Sequence, residues 1–150
     1  MGHTFSRILV HVIFTSKGRH RNLHREVRER LCAYLCGVAR NENASLLEAK
    51  AEEDHVHLLM KVKPSHAVAD LVRALKANSS RWIHETFPGL RDFAWQSGYA
   101  VFSVSESAAP DVQTYIKDQA RHHQSVPFEH ELRSFLEKHG VEFDPDHYLD

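Results

Sequence analysis

The chain has few cysteines and almost no net charge. Its 150 residues include two cysteines, and 19 Lys and Arg side chains against 20 Asp and Glu give a formal net charge of −1. Cys32 and Cys36 stand four residues apart in a predicted helix, where a disulfide fits the geometry poorly, so we expect free thiols. No further zinc ligands at suitable spacing lie near them in the sequence. A disulfide framework and a zinc finger are therefore not indicated.

The sequence also lacks long apolar runs. None approaches the roughly 20 residues that span a bilayer, and the first residues lack the basic-then-apolar layout of a secretory signal. A hydrophobic content of 42% and a charged content of 26% are typical of globular proteins. We therefore expect a single cytoplasmic domain with no membrane partner.

Charge is distributed unevenly along the chain. Residues 129–150 carry seven acids against two bases, which leaves a charge of +4 on residues 1–128. A basic cluster near the start includes Lys17, Arg19 and Arg21. Such a cluster could contact phosphates or be a solvated surface, and composition favours neither interpretation.

Hydrophobic periodicity predicts an α+β chain with the order β-α-β-β-α-β and further C-terminal helices. This is the ferredoxin-like arrangement, an antiparallel sheet with helices on one face. Something must cover the second face: the C-terminal helices, a second subunit or nucleic acid. Ser65 is the expected N-cap of the second helix. The predicted strands are 7–14, 45–51, 54–62 and 99–104, and the predicted helices are 24–41, 65–87, one after residue 110, and 128–139.

His55, Val56 and His57 lie in the third predicted strand. Because side chains alternate along a strand, both imidazoles point to one face, while Val56 and Leu58 point into a core. Two imidazoles on one face could begin a divalent metal site, one that suits Mn²⁺ better than Mg²⁺ and does not exclude Zn²⁺ or Co²⁺. In a chain with 13 histidines such a pair also arises by chance.

Tyr115 and Gln119 are spaced to share one face of a helix. Cleavage of a phosphodiester requires a nucleophile and a positive centre on the phosphoryl oxygens. The Tyr115 phenol could attack, and the Gln119 carbonyl oxygen could be a third metal ligand. A helical tyrosine is more often a core or interface residue. His122 extends the same face as a further ligand or as a surface residue.

Four motifs occur in a characteristic order: His55-Val56-His57, the segments 75–81 and 95–99, and Tyr115 with Gln119. Together they resemble the single-tyrosine HUH transposases of small bacterial insertion sequences, the IS200-like transposase family. The resemblance covers about residues 5–124 and leaves an acidic extension, about 125–150. Trp95 and Tyr99 could stack on bases or pack in the core.

The resemblance implies single-stranded DNA with hairpin ends as substrate, a divalent metal (Mg²⁺ or Mn²⁺), a 5′-phosphotyrosine intermediate and a homodimer. By position it implies that Tyr115 is the nucleophile and that His55, His57 and Gln119 bind the metal. Either subunit of the dimer could supply the tyrosine for a given histidine pair. Candidate contacts to the DNA backbone are Lys17, Arg19, Arg21, Lys76 and Arg81.

Three other interpretations remain open. A domesticated relative would process chromosomal repeat hairpins with the same chemistry. A nonenzymatic module could bind nucleic acid on its sheet, although the histidine strand offers no aromatic side chain on that face. A metal-storage or small-molecule-binding dimer would bind metal without affinity for DNA.

Overall fold

A four-stranded antiparallel sheet forms the centre of the protein, in a computed structural model that describes residues 2–122 and 126–149. The strands lie in the order β2-β3-β1-β4, which confirms the predicted ferredoxin-like arrangement. β2 and β3 form the expected hairpin. The strands are β1 (Ile8–Thr15), β2 (Ser45–Ala51), β3 (His55–Val62) and β4 (Ala100–Val104).

Two long helices cover one face of the sheet, α1 (Arg25–Asn41) and α2 (Val68–Thr86). Alternate residues of the central strands β1 and β3 point into this layer, and they pack with the apolar stripes of both helices. This is the main core, and it fixes which face of β3 carries the histidines. Among the described residues, no helix is both long and apolar enough to cross a membrane.

The second face is covered by the chain's own C-terminal helices: α3 (Ala109–Lys117), the short α4 (Gln119–His122) and α5 (Phe128–Lys138). α3 packs on β2 and β3 through Ile116, which is fully buried. α5 packs its apolar stripe against Ile13 and Phe102. The face that carries the histidines is therefore an interior surface of the folded chain.

Two local predictions are wrong. α2 begins at Val68 after Ala67, and Ser65 does not cap it, because the backbone N–H of Lys63 donates to His66 Nδ1 and holds residues 63–66 in a turn. The predicted single helix through Tyr115 and Gln119 ends at Lys117, and Asp118 separates α3 from α4. A short polar side chain such as that of Asp118 competes for backbone hydrogen bonds, which weakens a helix interior.

Candidate active site

His55 and His57 lie on the face of β3 opposite the main core, as the alternation predicts. Their rings are 5.2 Å apart between centroids, and the two residues are 2% and 0% exposed. Asp54 Oδ1 lies 2.7 Å from His55 Nδ1 and holds that ring in place. This contact leaves Nε2 as the nitrogen of His55 that can bind a ligand.

Tyr115 extends from α3 to this histidine pair. Its ring centroid lies 6.0 Å from that of His57, within a single chain. Gln119 is fully buried beside it, and the Gln119 amide donates to the backbone carbonyl of Tyr115 at 3.3 Å. Gln119 therefore stays next to Tyr115 although the two residues lie in separate helices.

Glu131 of α5 is a site residue that sequence reasoning missed. The Tyr115 hydroxyl donates to Glu131 Oε2, and Glu131 Oε1 lies 2.9 Å from His57 Nε2. One carboxylate thus contacts both the phenol and an imidazole of the pair, and it is 4% exposed. A signal for it existed, because Glu131 falls three residues after Phe128 and one before Leu132, on the apolar stripe of an amphipathic helix.

His11 of β1 is the second residue that was missed. Its Nε2 forms a hydrogen bond with His57 Nδ1 at 2.9 Å. Burial, together with the neighbouring His57, lowers the pKa of His11 to about 3, so this imidazole is neutral at neutral pH. His11 therefore orients His57 so that Nε2 faces Glu131. The antiparallel pairing of β1 with β3 brings His11 next to His57, and that pairing could not be read from the alternation of β1 alone.

The donor atoms fit a divalent ion. Those of His55, His57 and Glu131 all lie within 4.8 Å of one another. Imidazole nitrogens and a carboxylate oxygen form a mixed set that suits Mn²⁺ and similar ions. The side chain of His122 lies outside the part of the chain that the structure describes, so its role stays a prediction.

The Tyr115 phenol is held in its neutral form. Burial raises its pKa above the usual value, and the hydrogen bond to Glu131 acts in the same direction, while a hydrogen bond with Gln119 opposes them. A neutral phenol is a poor nucleophile. Nearby positive charge would favour loss of the phenolic proton.

The predicted DNA contacts have different surroundings. Arg19 pairs with Glu129 of α5, and Arg21 Nε lies 3.7 Å from Glu53. Lys17 is exposed, and no ion pair of Lys17 is found within the described ranges. In the basic loop, Lys17 is therefore exposed to solvent, whereas Arg19 and Arg21 each lie beside a glutamate.

Lys76 and Arg81 of α2 also differ. Lys76 Nζ donates to the backbone carbonyls of Gln96 at 2.8 Å and Gly98 at 2.6 Å, and burial lowers its pKa. Arg81 is exposed and donates to Asn78 Oδ1. Trp95 is a core residue, since its indole N–H donates to the buried Ser79 hydroxyl and its ring packs edge-on against Phe14.

Comparison with known proteins identifies the class to which this fold and site belong. A family model described as "Transposase IS200 like" matches residues 4–119. The ISDra2 transposase TnpA of Deinococcus radiodurans is 32% identical over 114 residues, 73% of this chain and 81% of that protein. The transposase of insertion sequence IS200 from Salmonella typhimurium is 31% identical over 125 residues, 79% of this chain and 81% of that protein.

Solved structures give the same result. A crystal structure of a putative transposase from Deinococcus radiodurans superposes with a TM-score of 0.66 at 32% identity, covering 79% of this chain and 96% of the other. A REP-associated tyrosine transposase bound to a REP hairpin shares the fold, with a TM-score of 0.62 at 13% identity over 97% of this chain and 92% of that one. The protein belongs to the IS200-like transposase family. Helix α5 lies beyond the segment that the family model matches.

Proposed function

We propose that the protein cleaves and rejoins single-stranded DNA at hairpin-marked element ends through a covalent 5′-phosphotyrosine. Membership of a transposase family supports the reaction class. The observation that carries the proposal is the position of the Tyr115 phenol, whose ring centroid lies 6.0 Å from the ring centroid of His57. Nucleophile and histidine pair can thus work together without any rearrangement of the sheet.

Tyr115 is the proposed nucleophile. Its phenolic oxygen would form a bond to phosphorus as the bond from phosphorus to the 3′-oxygen breaks, which releases a 3′-hydroxyl and conserves the bond energy for rejoining. The phenolic proton must leave during attack. Glu131 accepts the hydrogen bond from that hydroxyl and is the nearest described group to receive the proton.

His55, His57 and Gln119 are the proposed ligands of a divalent metal, Mg²⁺ or Mn²⁺. Both histidines are fixed by second contacts, to Asp54 and to His11, which is the usual support for metal-binding imidazoles. A metal held there would supply positive charge near the phosphoryl oxygens and the phenol. Such charge would offset the burial that keeps Tyr115 neutral.

The DNA backbone is proposed to run along the basic loop and α2, with contacts to Lys17, Arg19, Arg21, Lys76 and Arg81. Lys17 and Arg81 are exposed and can reach a phosphate without breaking a buried contact. We also propose a homodimer, which family membership supports. Light scattering of the full chain measures its mass directly.

The test is a denaturing gel with labelled single-stranded DNA from the two flanks of the gene, in Mn²⁺ or in EDTA. Wild type is expected to give a protein–DNA adduct only with Mn²⁺, and Tyr115→Phe is expected to give none. Tyr34→Phe is the matched control, because it removes the same hydroxyl from a tyrosine stacked on Trp82 in the helical layer. It should form the adduct as wild type does.

Two outcomes would contradict the proposal. An adduct that persists in Tyr115→Phe would show that another residue is the nucleophile. Hairpin binding without any adduct, in wild type and in Mn²⁺, would favour a nonenzymatic binding module.

A further inference from the structure

Helix α5 supplies an acidic side chain to the site from outside the family-matched segment. That segment ends at residue 119, and Glu131 lies in the first turn of α5. We propose that Glu131 is a ligand of the divalent metal, together with His55 and His57. This inference rests on the proposed metal site and adds a residue that the motif pattern of the sequence does not contain.

The distances between donor atoms carry the inference. Glu131 Oε1 lies 2.9 Å from His57 Nε2, close to the roughly 3 Å that separates neighbouring ligands around an ion bound at about 2.1 Å. The donors of all three residues lie within 4.8 Å of one another, and two ligands of one such ion cannot be more than about 4.2 Å apart. Side-chain rotations that shorten the longest of these separations by roughly 0.6 Å or more would bring all three donors onto one ion.

The charges point the same way. Two neutral imidazoles and a neutral amide would give the ion no negative ligand, whereas Mg²⁺ and Mn²⁺ favour carboxylate oxygens. The Glu131 side chain is 3% exposed, and the groups that face its oxygens include the Tyr115 hydroxyl and His57 Nε2. A divalent ion between Glu131 and the histidines would add positive charge to these contacts, which a carboxylate at that depth favours.

The inference links metal binding to the docking of α5. Phe128, in the same turn of the helix, lies against His55 with 4.5 Å between ring centroids, and Leu132 and Leu136 pack on the sheet below. An ion held by Glu131 and the histidines would join α5 to β3. Because the ion binds only where these elements meet, it should stabilise the docked helix.

The test measures Mn²⁺ affinity by isothermal titration in the absence of DNA, so that catalysis plays no part. Glu131→Gln is expected to weaken Mn²⁺ binding by at least about 10-fold, the lower end of what loss of a supporting metal contact costs. Glu137→Gln is the matched control, because it removes the same charge from an exposed position on α5, where Glu137 pairs with Arg133. Its affinity should stay within about twofold of wild type.

His55→Ala separates this inference from the proposed function. Loss of Mn²⁺ binding in His55→Ala, with full affinity in Glu131→Gln, would overturn the role of Glu131 and leave the histidine site intact. Full affinity in both variants would overturn the histidine site itself.

Hydrogen exchange of the wild-type chain gives a readout that requires no variant. Mn²⁺ is expected to slow exchange in the peptide that contains α5, since the ion would hold the helix against β3. Unchanged exchange in α5 at saturating Mn²⁺ would overturn the inference, even if Glu131→Gln failed to fold.

Discussion

Lys76, one of the proposed DNA contacts, also has a structural role that can be measured without DNA. Its ammonium group donates to the carbonyls of Gln96 and Gly98, and it lies 5.3 Å from the ring centroid of Phe14 and 5.7 Å from that of Tyr99. These contacts join α2 to the segment that leads into β4. Lys76→Met keeps an apolar stem of similar length and removes only the charged donor.

The expected cost follows from those contacts. A hydrogen bond to a charged group contributes about 1.5–3 kcal/mol, and each cation–π contact about 0.5–1 kcal/mol at an exposed site. Because Lys76 is only partly buried, solvent screens these contributions, and we expect Lys76→Met to lower the free energy of unfolding by about 2 kcal/mol. In a urea titration this is a shift of about 1 M in the midpoint.

Urea titration followed by tryptophan fluorescence measures this effect, since Trp95 is buried beside the affected segment. Arg81→Met is the control, because it removes a cation from an exposed position of the same helix and should change stability by no more than about 0.5 kcal/mol. Unchanged stability of Lys76→Met would refute the structural reasoning. A shallower salt dependence of DNA binding in the same variant would then leave the proposed DNA contact as the role of Lys76.

Two further predictions concern the ion pair between α5 and the basic loop and the paired cysteines. The hydrogen bond from Arg19 holds the pKa of Glu129 below its usual value, so the pair stabilises the fold above about pH 4.5 and loses that contribution as the pH falls through the folded-state pKa. The melting temperature of Glu129→Gln should therefore lie below that of wild type at pH 7, and the gap should narrow as the pH is lowered below about 4.5; a gap that does not change with pH would contradict the assignment. Burial raises the pKa of Cys32 to about 11, with Cys36 acting in the same direction, so at pH 8 about one Cys32 thiol in a thousand is ionised. Alkylation of Cys32, followed by mass spectrometry, should therefore be at least about 10-fold slower in the native chain than in the urea-unfolded chain. Equal alkylation rates in the two states would contradict this prediction.

Much of the fold could be predicted because the signals that determine it are local. The alternation along β3 gave the side on which His55 and His57 lie, and the predicted bounds of β2 agree with the structure. The start of α2 was wrong because a histidine side chain, His66, bonds to the backbone before the helix begins. No residue preference indicates such a contact, since histidine is not a typical capping residue.

The missing parts of the site are those that depend on distant pairing. Glu131 lies 74 residues from His57 along the chain, and His11 lies 46 residues from it. Their contacts depend on the register of β1 against β3 and on how α5 docks, neither of which periodicity determines. Spacing singled out Tyr115 and Gln119 as a pair, but spacing alone left open whether the tyrosine was a nucleophile or a core residue, and the family resemblance supplied the predicted roles.

The acidic C-terminal segment shows why summed charge was a poor guide to its role. Counting residues 129–150 gives seven acids against two bases and does not show which of the acids face solvent. Two of them, Glu129 and Glu131, stand in the first turn of α5, where the helix dipole favours negative charge. One pairs with Arg19 of the basic loop and the other contacts His57 and Tyr115. The position of a charge on the helix, and not the total for the segment, therefore decides whether an acid belongs to the surface or to the site.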